Sequence, residues 1–260
     1  RAPAGDHKSI DSPWPPSSDS SALGSRHSSF TTKRESSFVS TVLKLRARSS
    51  SSMSRGSCGV PLVIVSDAGQ DLDDEMACIF ARHLVHRGLV HVRGIVSTLA
   101  PSLERGLLLR GTLDMLGLQQ VPVGVGTDGG DYSHSAARFT DSYVPPAFSE
   151  GALSLVSGLR LMLEQLQLVD AHIGSNKLVF VVIASLKDVA ILLRDHEELF
   201  CRTVEEVVIM GGVEPFDASD SDAEIVMVPD SAHNNSFDKA ASAFFYRRCQ
   251  ELSVRLVVVT

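Results

Sequence analysis

Five carboxylates fall within nine positions of this chain: Asp67, Asp71, Asp73, Asp74 and Glu75. They follow an apolar run that begins at Val60. Carboxylates this close repel one another unless a cation or bound hydroxyl groups sit among them. Helix capping explains part of the cluster, because Asp suits an N-cap and acidic residues suit a first turn. That accounts for Asp73, Asp74 and Glu75. It does not account for Asp67 at the end of a buried-type strand, or for Asp71. The chemistry this points to is a divalent-cation site or a sugar-binding site. His134, in a Gly/Pro-containing stretch, and His233, beside Asn234, are the histidines best placed for a pocket. Asn234, Asn235 and Asp238 stand just before an amphipathic run. They read as a helix cap, with Ser236 or Asn235 in that role, or as amides facing sugar hydroxyls.

The elements that position these residues alternate. Strands are expected at residues 60–66, 89–97, 121–125, 177–184, 206–210 and 254–259. Helices are expected at 73–87, 102–116, 150–168, 186–200 and 237–252, with Ser102 as an N-cap and Gly117 as a stop. Met76, Ile79, Phe80, Leu84 and Val85 recur at helical spacing, as do Phe237, Phe244, Phe245 and Tyr246, whose stripe reads as core. Residues 126–147 and 214–231 are long irregular loops. Near-continuous Val/Ile/Leu strands predict an α/β fold: an open, mostly parallel sheet with helices on both faces. Such sheets bind ligands beyond the carboxyl ends of their strands. The informative positions are therefore Asp67, Thr98, Gly126, Ala184 and Met210.

Other classes are disfavoured. Gly124, Gly126 and Gly129 match a dinucleotide-binding pattern, but no helix opens after them to cradle a pyrophosphate. A phosphate-handling site would want a Lys or Arg in a loop near Asp67, and none is evident. No apolar run is long enough to span a bilayer. Residues 1–59 hold nine Lys/Arg against four Asp/Glu and eighteen Ser. They are expected to be a disordered tail, separate from an α/β domain at 60–260. The tail reads as an organellar transit peptide, as a translated leader upstream of Met53, or as a plain tail. The remainder holds fifteen Lys/Arg against twenty-seven Asp/Glu, which argues against nucleic acid as a partner. Cys58, Cys78, Cys201 and Cys249 lack metal spacing and read as reduced thiols of a cytoplasmic-type protein.

Together these residues resemble the inosine–uridine preferring nucleoside hydrolases. Ser66-Asp67-Ala68-Gly69-Gln70-Asp71-Leu72-Asp73-Asp74 is similar to that family's opening Asp-rich motif, with two extra residues before the Asp pair. Val207-Val208-Ile209-Met210-Gly211-Gly212 is similar to its apolar strand ending in Met-Gly-Gly. The strand before Ala184, with Leu186, Asp188 and Ala190, resembles an intervening signature. Asn234, Asp238, Ala240 and Ala241 resemble a later one. The resemblance implies Ca²⁺-dependent hydrolysis of the N-glycosidic bond of a ribonucleoside, as in purine and pyrimidine salvage. It implies Asp67 as catalytic base and calcium ligand, and Asp74 and the Ile183 carbonyl as further ligands. Asp73, Met210 and Asn234 would contact substrate, with His134 and His233 as further candidates. A homo-oligomer is implied, although no interface is evident.

Departures keep a second reading open, a non-catalytic hydrolase-like domain that binds a ribosyl ligand or a protein. Ala100 stands where the resemblance expects Asn, and Ala232 where it expects an acidic residue. Without a gap, Asp67 would match an earlier family Asp and Gly69 the base. Asp71 and Glu75 match no family role, though Asp71 suits a replacement ligand. The family's chains also continue beyond the point matching Thr260, with a final calcium-ligand Asp and a His. On that reading the 260 residues alone bind calcium weakly and hydrolyse little.

Overall fold

The computed structural model describes residues 59–69, 72–130, 155–172, 176–215 and 226–260. The tail, Cys58, Asp71, His134 and most of both long loops lie outside the described residues. Among the described residues, seven strands form one sheet: β1 (Val60–Ser66), β2 (Val90–Ser97), β3 (Val123–Val125), β4 (Val156–Ser157), β5 (Leu178–Val182), β6 (Val204–Met210) and β7 (Arg255–Val259). Their order is β4-β3-β2-β1-β5-β6-β7, and every pairing is parallel. The helices are α1 (Asp73–His86), α2 (Ser102–Met115), α3 (Gly158–Ala171), α4 (Lys187–Asp195), α5 (Glu197–Thr203), α6 (His233–Ser236) and α7 (Lys239–Glu251).

Strand alternation sends side chains to two cores. Val63, Val65, Phe180 and Ile209 pack under α3, α4, α5 and α7. Leu62, Ile64, Val179 and Val181 pack under α1 and α2. Helices therefore cover both faces, as a parallel sheet requires. The chain lays β2, β3 and β4 to one side of β1, and β5, β6 and β7 to the other. This reversal opens a crevice at the carboxyl ends of β1 and β5, the place where such folds bind ligands.

Four expectations need correction. Val156 and Ser157 form a short strand pairing with β3, where a helix was expected. The helix begins only at Gly158, behind Ser157 as its cap. The helix expected over 186–200 is two helices, because His196 leaves helical geometry (φ −137°, ψ 40°). That break lets Phe200 turn inward to stack on Phe180, with ring centroids 5.7 Å apart. Ser102 is the first residue inside α2 and Pro101 is its N-cap.

The fourth concerns α1. Met76, Ile79 and Phe80 are 46%, 46% and 42% exposed. The inward stripe is instead Asp74, Cys78, Ala81 and Leu84. Asp74 is hydrogen-bonded to Ser66 and to the backbone of Asp67 at the end of β1, which fixes the rotation of the helix. Small side chains at 78 and 81 then let α1 lie close on the sheet. The aromatic stripe of α7 does turn inward, with Phe244, Phe245 and Tyr246 buried.

Candidate active site

The carboxyl ends of β1, β5 and β6, with α6, enclose a cavity of about 260 Å³. Asp67, Asp73, Ile183, Met210, His233 and Asn234 all line it. Residues separated by up to 167 positions in sequence thus meet in one place. Asp74 is not part of the lining. His134 and Asp71 fall outside the described residues.

The acidic wall comes from β1 and α1. Asp67 is half-buried just beyond β1, and Asp73 is exposed at the first turn of α1. Asp74 lies beneath them, 2% exposed. Its Oδ1 accepts from Ser66 Oγ at 2.7 Å and from the Asp67 backbone N–H at 3.2 Å. Burial holds its carboxyl well above the usual range, and the neighbouring carboxylates Asp67, Asp73 and Glu75 push it the same way, against the Ser66 hydrogen bond. The same surroundings push the Cys78 thiol up to about 12, chiefly through burial. Such a thiol stays protonated and unreactive.

The opposite wall is built from amides. Asn234 Nδ2 donates to the Ile183 carbonyl at 3.1 Å and to the Met210 carbonyl at 3.0 Å. Both amide protons are committed, so Asn234 offers the cavity an acceptor, its Oδ1. Asn235 is buried behind it and donates to the Gly212 carbonyl at 2.9 Å. Neither Asn235 nor Ser236 caps α7. Asp238 does, accepting from the Ala241 N–H at 2.9 Å, and it is paired with Lys187 at 3.3 Å. His233 is exposed at the cavity and meets Phe237 edge-on, with centroids 4.6 Å apart.

Two buried side chains at these strand ends, Arg105 and Asp188, take roles that no local sequence pattern announces. Arg105 of α2 is fully buried. Its Nη1 donates to the Asp67 and Ala68 carbonyls and its Nη2 to the Ala100 carbonyl. A cation does therefore stand near Asp67, but it faces backbone carbonyls. Its signal in sequence is an Arg on the stripe Arg105, Leu108, Leu109, Thr112. Asp188 is 3% exposed. It accepts from Thr98 Oγ1, the Thr127 N–H (2.8 Å) and Thr127 Oγ1 (3.0 Å), tying the ends of β2 and β3 to α4. Burial raises its pKa in spite of those three bonds. The glycines after β3 serve this packing. A Cβ on Gly126 would stand 2.7 Å from both Asp188 Oδ1 and the Ser97 carbonyl, and Gly129 has φ +78° against Leu99. The glycine pattern is one of close approach to Asp188 and the Ser97 carbonyl.

Hard oxygen donors are what calcium selects, and Asp67, Asp74 and the Ile183 carbonyl supply them. The Ile183 carbonyl keeps a second lone pair beside its bond from Asn234. Among the described residues, no three His, Cys, Asp or Glu side chains converge as a complete metal cage. Two carboxylates and a carbonyl are the candidate donors, and Asp74 lies beneath the cavity rather than in its lining.

No family model matches the sequence, and no curated protein matches it. Solved structures do. The type III effector protein XopQ, complexed with adenosine diphosphate ribose, superposes with a TM-score of 0.64 at 28% identity over 84% of this chain. A purine-preferring ribonucleoside hydrolase from Gardnerella vaginalis gives 0.54 at 17% identity over 76% of the chain and 60% of its own. A plant nucleoside hydrolase gives 0.54 at 17% over 77% of the chain and 59% of its own. The chain spans 59% of the length of the XopQ structure. The architecture is the α/β fold of the nucleoside hydrolases, and the cavity lies at the carboxyl ends of its strands. Among the described residues, no helix is long and apolar enough to cross a membrane.

Proposed function

We propose that this site binds a ribonucleoside and hydrolyses its N-glycosidic bond, with calcium as cofactor. The observation that carries the reading is the convergence of Asp67, Asp73, Ile183, Met210 and Asn234 on one cavity at the strand ends. Asp67, Asp74 and the Ile183 carbonyl would hold the ion. When bound, it supplies the positive charge that lets neighbouring carboxylates stay ionised and an anchor for hydroxyl oxygens. Asp67, half-buried at the cavity wall, takes the proton of the attacking water. Asp73 and Asn234 Oδ1 accept hydrogen bonds from ribose hydroxyls and fix the sugar. Met210 closes the apolar side. Charge developing on the ribose as the bond to the base breaks is oxocarbenium-like. It faces the acidic wall, which stabilises that state more than the neutral substrate.

A second reading is ribosyl binding without hydrolysis. It is favoured by the likeness to XopQ, whose structure holds adenosine diphosphate ribose, and by the non-polar residues Ala100 and Ala232. One experiment separates the two. Ribose release from inosine and uridine is measured with and without a chelator, alongside calorimetric binding of inosine and adenosine diphosphate ribose. Chelator-sensitive release that Asp74→Asn abolishes supports hydrolysis. Binding without release supports the second reading. Neither binding nor release overturns both.

A further inference from the structure

We infer that Asp230 is a positioning residue for the amide wall: it seats α6 on the glycine turn after β6 and so aims Asn234 at the cavity. The inference rests on the reading that this cavity holds a ribosyl group, and adds to it a residue that touches no ligand. Asp230 is half-buried and lies outside the cavity lining. Its Oδ1 accepts from the Ala232 N–H at 2.8 Å and from Asn235 Nδ2 at 3.2 Å. Its own N–H donates to the Gly212 carbonyl at 3.3 Å. That carbonyl also accepts from Asn235 Nδ2 at 2.9 Å. One carboxylate oxygen thus meets the residue before α6 and a side chain within it. The backbone of the same residue holds the turn that ends β6.

The turn is shaped around this side chain. A Cβ on Gly212 would run into both carboxylate oxygens of Asp230, and a Cβ on Gly211 would stand 3.0 Å from Asn235 Oδ1. The glycines leave the room that the carboxylate and the amide occupy. The consequence falls on Asn234, which sits between the two groups bound to Asp230, the Ala232 N–H and the Asn235 side chain. Asn234 Nδ2 spans the Ile183 carbonyl beyond β5 and the Met210 carbonyl at the end of β6. It can span them only while α6 keeps its height and rotation over those strand ends. With both amide protons committed there, Oδ1 is the atom it presents to the cavity. Hydrogen bonds to a carboxylate are stronger than those to a neutral acceptor, so Asp230 holds α6 more firmly than a backbone turn alone.

The test is a double-mutant cycle on the 260-residue chain: the parent, Asp230→Ala, Asn234→Ala and the pair, with Asp230→Asn and Gly212→Ala alongside. Each is titrated by calorimetry with inosine and with adenosine diphosphate ribose, well below its own unfolding midpoint. Asp230→Ala is expected to weaken each probe that the parent binds by roughly tenfold, within the range that an ångström-scale misplacement produces. Gly212→Ala displaces the carboxylate without removing it and is expected to weaken binding likewise. Asp230→Asn keeps an acceptor at Oδ1 and is expected to lose less. In the Asn234→Ala background, Asp230→Ala is expected to weaken binding no further, because the two act through one contact. A merely structural role gives another pattern: a lowered midpoint with affinity unchanged, or losses that add across the pair. A folded Asp230→Ala or Gly212→Ala that binds as tightly as the parent, or additive losses, overturns the inference and leaves the ribosyl reading standing. A parent chain that binds neither probe overturns the ribosyl reading itself, and the role of Asp230 with it.

Discussion

Asp74 and Asp188 lie at neighbouring strand ends, beyond β1 and β5, and both are almost wholly buried. Burial raises the pKa of each. Their surroundings differ. Asp188 receives three hydrogen bonds, two from side chains and one from the backbone, and Lys187 helps to hold it ionised. Asp74 receives two, both on one oxygen, and faces the carboxylates of Asp67, Asp73 and Glu75. A saturated buried carboxylate is a strut that ties elements together. A buried carboxylate among its own kind is a site whose stability depends on what comes to it.

The contrast breaks if the two respond alike to mutation. The largest effect is expected at the strut. Asp188→Ala leaves Thr98 and Thr127 with buried donors unmet and is expected to cost roughly 3 kcal/mol in urea unfolding. Asp188→Asn keeps an acceptor there and is expected within about 1 kcal/mol of the parent. The sign of the pH dependence follows from the raised pKa. The folded state binds the Asp188 proton more tightly than the unfolded chain does. Its ionisation therefore lowers stability as pH rises from the ordinary carboxylate range through the raised folded value. Asp188→Asn should flatten that part of a plot of urea midpoint against pH, and an unchanged slope would count against a raised Asp188.

Next in size is the amide wall. Asn234→Ala removes both clamps on the Ile183 and Met210 carbonyls and is expected to cost about 1–2 kcal/mol of thermal stability. The site carboxylate should act in the opposite direction. Without calcium, Asp74→Asn is expected to stabilise the chain by on the order of 1 kcal/mol, because it removes one charge from a repelling group. Destabilisation of the size seen at Asp188→Ala would make Asp74 a second strut. The smallest effect belongs to the surface. Arg248 pairs with Glu197 at 2.6 Å and holds its carboxyl below the usual range. That contribution is present above the ordinary Glu pKa and is lost as pH falls through the lowered one. The two side chains are partly exposed, at 32% and 34%, so Arg248→Ala should cost about 1 kcal/mol, and less in high salt.

Much of this was legible in the residues. Apolar strands at regular intervals gave the parallel sheet, because burial on both faces leaves no polar alternation to mistake. The clustering of carboxylates after β1 pointed to the strand ends, because that is where such sheets expose their loops. The rotation of α1 was not legible. Met76, Ile79 and Phe80 form as good an apolar stripe as Asp74, Cys78, Ala81 and Leu84, and the bonds of Asp74 to Ser66 and to the Asp67 backbone decide between them. Arg105 and Asp188 were hidden for a related reason. Their partners lie up to 90 residues away, and no local pattern announces which backbone carbonyl or threonine will be across the loop. The Gly124–Gly129 pattern pointed to a turn-rich loop, but only the fold shows that Gly126 makes room for Asp188.

The central claim is that the carboxylates beyond β1 form a cation-dependent site while Asp188 does not. Calcium-induced change in the thermal unfolding midpoint tests it in one measurement, since a ligand of the folded state alone stabilises by RT ln(1 + [L]/Kd). The account predicts that calcium raises the midpoint of the parent chain and of Asp188→Asn, and leaves that of Asp74→Asn unmoved. No shift in the parent, or an equal shift in Asp74→Asn, would contradict it.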